Sequence, residues 1–189
     1  MDNQNLFISF SPHNKNNPVN HTSFANTLKY AFPSGWDFQF YTDTANKFYI
    51  NGIPAISDNF ETTLEYLKTK TEKYKKVVFI GASAGGYAAT LFGSLLNVNT
   101  VISFYAPTIL NKNLHFKHLD LKPIINNTTK YFLYGDTTII GTPHCISQQY
   151  RVDCFPNVKI TKIDGLFGSL PKMRDNGELH KIIIDCCKD

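Results

Sequence analysis

One stretch constrains the fold of this chain more than any other: KKVVFI (residues 75–80) runs straight into Gly81-Ala82-Ser83-Ala84-Gly85-Gly86 and then into YAATLFGSLL. The β-branched run reads as a buried strand, and the small and apolar residues after it read as a helix. A serine in so sharp a strand-to-helix turn is forced outward. Its flanking positions must be glycine, because a Cβ there would collide with the neighbouring strand and helix backbones. Gly81 and Gly85 meet that requirement. Gly86, Ala88 and Ala89 let the helix lie close to a sheet, and its first amides and its dipole favour negative charge beside Ser83.

The rest of the chain alternates in the same way. LFISF (6–10), WDFQFY (36–41), KVVFI (76–80), TVISFY (100–105), KYFLY (130–134) and NVKITKI (157–163) read as six strands. Between the second and third, Phe60, Leu64 and Leu67 recur at helical spacing after Ser57 and Asp58, which are placed to cap a helix running to about Tyr74. At the end of the chain Leu179, Ile182, Ile183 and Cys186 share one helical face behind Asn176-Gly177. Strands separated by helices imply β-α-β crossovers, hence an α/β fold with a mostly parallel six-stranded sheet and helices on both faces. No internal repeat or linker divides the sequence, so one domain over residues 1–189 is expected.

Composition narrows the function classes. The 189 residues are 42% apolar, enough for a substantial core. The formal charge of +4 comes from dispersed lysines and arginines, and the densest run, Lys68 to Lys76, lies beside Glu61, Glu65 and Glu72. That is a solvated helix face, and no basic stripe asks for nucleic acid. MDNQNLFISF has neither the charged start of a signal peptide nor the length of a membrane span, so a cytoplasmic protein without membrane insertion is expected. Cys145, Cys154, Cys186 and Cys187 form no C-x-x-C pair, have no histidine spacing suited to zinc, and read as reduced thiols. No metal or organic cofactor is expected. A nucleotide-binding turn is disfavoured, because Gly-x-Gly-x-x-Gly is absent and Tyr87 stands where a phosphate-loop lysine is wanted.

With its strand, Gly81-Ala82-Ser83-Ala84-Gly85 and small-residue helix, the sequence resembles the α/β-hydrolase superfamily, over most of the chain but without the leading antiparallel strands or the helical lid. The resemblance implies a nucleophile elbow, with Ser83 as nucleophile and the Ala84 amide as one oxyanion donor. The second donor is expected near Ser11, after the first strand, although Pro12 has no amide to give. A serine hydroxyl needs a base, and the base needs an orienting group. For the acid the resemblance points to Asp136, directly after KYFLYG; a register three residues beyond the glycine would give Thr138, and Asp153 is the next carboxylate.

The base is less plain. The loop in which the resemblance implies a histidine, residues 164–174, has none. His144, just beyond the acid and at the start of an expected helix, is the favoured candidate. His13 and His180 are alternatives, and His21, His115 and His118 have no motif to recommend them. The segment from Phe155 to Ile184 also resembles the tail of bacterial polysaccharide-associated hydrolases, some of which add or remove acetyl groups on sugars; in such relatives a histidine would fall near Gly168. Two functions remain open. One is a serine esterase or acyltransferase for small acyl esters, on a small molecule or a carbohydrate, through an acyl-enzyme on Ser83. The other is a catalytically degenerate protein that keeps the pocket for a ligand or a protein partner. Phe10, Tyr41, Tyr49, Tyr87 and Tyr105 are the aromatics expected around the cleft.

Overall fold

The computed structural model describes residues 4–13 and 24–188. Strands β1 (Asn5–Phe10), β2 (Trp36–Tyr41), β3 (Lys76–Ala82), β4 (Thr100–Phe104), β5 (Lys130–Asp136) and β6 (Val158–Ile163) form one sheet in the order β2-β1-β3-β4-β5-β6. Every pairing is parallel. The six expected strands are all present, β2 with the expected bounds and the others with one end displaced by one or two residues.

Alternation along the strands builds two cores. Leu6, Ile8, Phe10, Val77 and Phe79 face one side, where helices α2 (Phe60–Thr71) and α3 (Ala84–Leu95) cover them with Phe60, Leu67, Tyr87 and Phe92. Phe7, Val78, Ile80, Ala82 and Phe104 face the other, under α1 (Ala25–Ala31), α4 (Leu166–Asp175) and α5 (Glu178–Cys186), which contribute Leu28, Leu166, Leu170, Leu179 and Ile183. Both faces of β3 are therefore buried, as its continuous apolar run requires.

Several local expectations are corrected. The cap of α2 is Asn59, whose side chain accepts from Thr62 N at 2.9 Å while the Thr62 hydroxyl answers the Asn59 amide in a capping box. Ser57 instead accepts from Ile53 N and bonds Thr63 in the loop before it, and the helix stops at Thr71 rather than Tyr74. Residues 164–174 are not a loop: most of them form α4. Leu166, Leu170 and Met173 give it a buried stripe, and Pro171 lies inside it. No α-helix joins β4 to β5 or β5 to β6, where short 3-10 turns at 112–114, 122–124 and 149–152 carry the chain. Prolines and asparagines in those connections, among them Pro107, Asn111, Pro123 and Pro143, break helical continuity.

The central packing depends on two glycines. A Cβ on Gly85 would land on the Phe10 carbonyl, and one on Gly81 would land on the Gly85 carbonyl, so β1, β3 and α3 meet backbone to backbone. Rigid backbone cannot yield as a side-chain end can. Gly85→Ala should therefore cost about 3 kcal/mol of stability, read as a lowered urea midpoint at unchanged slope; a midpoint equal to that of the parent would contradict this packing.

Candidate active site

Ser83 is the residue between β3 and α3, and its backbone is strained: φ is 52° and ψ −120°, outside the regions that side-chain-bearing residues favour. Its own amide is held by the Phe104 carbonyl at 2.9 Å, and its carbonyl accepts from Tyr87 N at 3.0 Å. The hydroxyl is thereby turned out of the sheet into a cleft of about 560 Å³ lined by Pro12, His13, Phe48, Tyr105, Pro143, His144 and Phe167. Each of the six strands sends at least one residue to this cleft from beyond its carboxyl end. The chain turns to opposite sides of β1 to place β2 and β3, and the crevice opens where that order reverses, the usual ligand position in open α/β sheets.

The comparisons agree with this architecture. No family model and no curated protein sequence matches the chain. Solved structures do. Est1E from Butyrivibrio proteoclasticus aligns with a TM-score of 0.61 at 8% identity, over 95% of this chain and 87% of its own. A fluorophosphonate-binding serine hydrolase of Staphylococcus aureus aligns at 0.60 and 9%, over 98% and 84%. An α/β serine hydrolase without a lid from Xanthomonas campestris aligns at 0.55 and 9%, over 97% and 84%. The chain has the α/β-hydrolase fold. At such low identities the likeness concerns backbone architecture, and the side chains of the site have to be read from this structure.

His144 stands on the cleft wall, in the turn-rich connection after β5 rather than at a helix start. Its Nδ1 lies 3.0 Å from the Tyr105 carbonyl oxygen. A carbonyl can only accept, so Nδ1 carries a proton, and in the neutral imidazole Nε2 presents the lone pair. Tyr105 follows β4 with φ at 38°, a left-handed conformation unusual for an aromatic residue. Its ring and that of Phe167 flank the imidazole at 6.0 and 5.3 Å. Burial pushes the Tyr105 phenol up to about 12, so it is neutral at working pH. Among the described residues nothing hydrogen-bonds Ser83 Oγ or His144 Nε2, and the two share the cleft without a direct bond.

Asp136 does not orient that histidine, contrary to expectation. It is fully buried at the end of β5, where one carboxylate oxygen accepts from Thr138 N (2.8 Å) and the Thr138 hydroxyl (2.7 Å) and the other from Phe167 N (2.6 Å). Its main-chain oxygen holds Ile146 N at 3.1 Å. Asp136 thus pins the connection bearing His144 through its backbone and the start of α4 through its side chain. Ser11 is corrected as well: its amide donates to the Tyr41 carbonyl at 2.9 Å and is not open to an oxyanion. The Ala84 amide, at the first position of α3, has no acceptor among the described residues.

The other candidates lie elsewhere. His180 sits on α5 against Tyr30, with ring centroids 4.9 Å apart, and Asp153 is exposed beyond the 149–152 turn. His118 packs between Phe60 and Phe116, and His115 ends the 112–114 turn. His13 lines the cleft beside Phe48 at 4.5 Å, while His21 lies outside the described residues. Of the expected cleft aromatics only Tyr105 is present there; Phe10, Tyr41, Tyr49 and Tyr87 are in the core, and Phe48 and Phe167 take the place assigned to them. Phe48 was not foreseeable from pattern. It is presented by a loop in which Asn46, Phe48 and Tyr49 all have positive φ, held by Asp43 accepting from the amides of Lys47 and Tyr49. Among the described residues no group of three His, Cys, Asp or Glu is placed to hold a metal ion, and no helix is long and apolar enough to cross a membrane.

Burial alone would raise the pKa of Asp136, but the Phe167 amide and the Thr138 hydroxyl and amide outweigh it and hold the carboxyl below its ordinary value. A folded-state pKa below the unfolded one stabilises the protein above the ordinary aspartate range, and that contribution is lost as the pH falls through the folded value. Asp136→Asn should therefore be less stable at neutral pH by about 1–3 kcal/mol and should lose less stability than the parent between about pH 6 and about pH 2.5. Urea midpoints at the two pH values check both statements.

Proposed function

We propose that the protein is a serine hydrolase or acyltransferase acting on small acyl esters, with Ser83 as nucleophile and His144 as base. The observation that carries this reading is the strained Ser83 turn opening into a cleft that also holds a histidine with its Nε2 lone pair available. In the first step Ser83 Oγ attacks the ester carbonyl carbon while His144 Nε2 takes the hydroxyl proton, through one water or after a small side-chain rotation. The Ala84 amide donates to the oxygen on which negative charge develops. Collapse breaks the ester bond, and the alcohol leaves with the proton from His144. Water, or the hydroxyl of a second substrate such as a sugar, then releases the acyl group by the reverse sequence. The Tyr105 carbonyl takes the orienting position usually given to a carboxylate, which stabilises an imidazolium less and favours a slow enzyme.

A second reading, a binding protein without efficient catalysis, is favoured by one feature: Asp136 bonds the backbone of Phe167, and it is Phe167 rather than an imidazole that enters the cleft from this part of the chain. The two separate by experiment. A fluorophosphonate probe should label the parent and not Ser83→Ala, and His144→Ala should lower ester turnover by about 10²–10⁴-fold. Phe167→His, or Gly168→His at a position with open space around its Cβ, should add little to a parent that depends on His144. No labelling of the parent, together with a large gain in either histidine variant, would establish the degenerate site.

A further inference from the structure

A second hollow lies where α1 faces the junction between α4 and α5. Its volume is about 540 Å³, within the range of small-ligand sites, and it shares no lining residue with the Ser83 cleft. α1 sends Asn26, Thr27 and Tyr30 to it, α5 sends His180, and the junction supplies Arg174, Asp175 and Asn176. No Leu, Ile, Val or Met lines it. Two polar atoms of its walls are buried without a hydrogen-bond partner among the described residues: the hydroxyl of Thr27, a residue only 1% exposed, and Nδ1 of His180. Leaving a buried polar group unpaired costs about 1–3 kcal/mol, and two of them on one hollow ask for a partner from outside.

The remaining groups say what kind of partner. Arg174 Nε donates to Asp175 Oδ1 at 2.8 Å, which matches the guanidinium charge locally and leaves both terminal amino groups as donors. Glu178 opens α5 beside them, so the hollow has no unbalanced positive charge to hold an anion. Asn176 accepts from Glu178 N through Oδ1 at 3.0 Å and keeps its amino group for another bond. Tyr30 is 79% exposed, and its ring meets the His180 imidazole edge-on at 4.9 Å. We propose that this hollow binds a neutral hydroxylated ring, the pyranose unit of a sugar. Planar amide, carboxylate and guanidinium groups offer donors and acceptors in pairs, as vicinal hydroxyls require. The ring face of Tyr30 receives the C–H side of the pyranose. Rotation of this exposed ring away from the imidazole opens Nδ1 of His180 to a sugar hydroxyl, and a second hydroxyl reaches Thr27. The site does not depend on the chemistry at Ser83.

Methyl glycosides of glucose, galactose, mannose and N-acetylglucosamine, with disaccharides that contain them, test the site by binding alone. Titrated into the full-length protein and followed by NMR, at least one should shift the side-chain amides of Asn26 and Asn176 and the ring of His180 in a saturable way. Tighter binding of a disaccharide than of its methyl glycoside identifies the end of a glycan as the occupant, and equal binding a free sugar; either supports the site. Tyr30→Ala, at an exposed position, should weaken binding about tenfold, and Asn26→Ala, also exposed, should weaken it severalfold, while Ser83→Ala should leave it unchanged. No saturable shift with any of these sugars, shifts confined to His144 and Phe167, an affinity indifferent to Tyr30→Ala, or displacement of the sugar by inorganic phosphate would overturn the proposal.

Discussion

The contact between Gly85 and the carbonyl of Phe10 fixes much else in this structure. It brings α3 down until helix and strand backbones touch, which leaves Ser83 no regular conformation to adopt and turns it out of the sheet. Tyr87 and Phe92, carried by the same helix, then reach the core beside Phe10 and Phe79. The strain at Ser83 is sustained because strand and helix are both committed on either side of it: the Phe104 carbonyl holds its amide, and its own carbonyl opens the first hydrogen bond of the helix. A strained, outward-turned serine is thus obtained from packing alone.

Around that position the polar groups are arranged differently from a carboxylate-histidine-serine chain. The buried carboxylate is present, but it is spent on holding the Thr138 and Phe167 backbones. The imidazole reaches the cleft from the connection after β5 and is oriented by a main-chain oxygen. Asp136 still matters to the site, because it fixes the start of α4 and, through Ile146, the segment bearing His144. Its influence is exerted on the position of the imidazole and not through a bond to it.

Much of this was legible in the sequence. The strands were, because period-two alternation and β-branched runs decide which residues fit a pleated, two-sided sheet, and the turn at Ser83 was, because only glycine tolerates such backbone approach. The fourth helix was not. Gly165, Gly168 and Pro171 argue locally against it, and only the burial of Leu166, Leu170 and Met173 against the sheet overrides them. The commitment of the Ser11 amide was hidden as well, since it depends on the neighbouring strand supplying the Tyr41 carbonyl. His144 could be shortlisted by its nearness to Asp136, yet its orientation follows from the left-handed Tyr105, which no pattern announces. Most of what escaped was long-range; the Asn59–Thr62 capping box and the Asp43-held loop that presents Phe48 were local.

The cleft draws on residues from Pro12 to Phe167, which stand beyond the ends of all six parallel strands. Parallel neighbours cannot pair through tight hairpins, so each wall joins only after a long loop has closed. The site is therefore complete only when both outermost strands have docked, because its walls come from both edges of the sheet. The same dependence works in reverse. Fraying at either sheet edge would dismantle the cleft while the Gly85–Phe10 contact at the centre still held, so the cleft and the compact core are separable, with the cleft the more fragile.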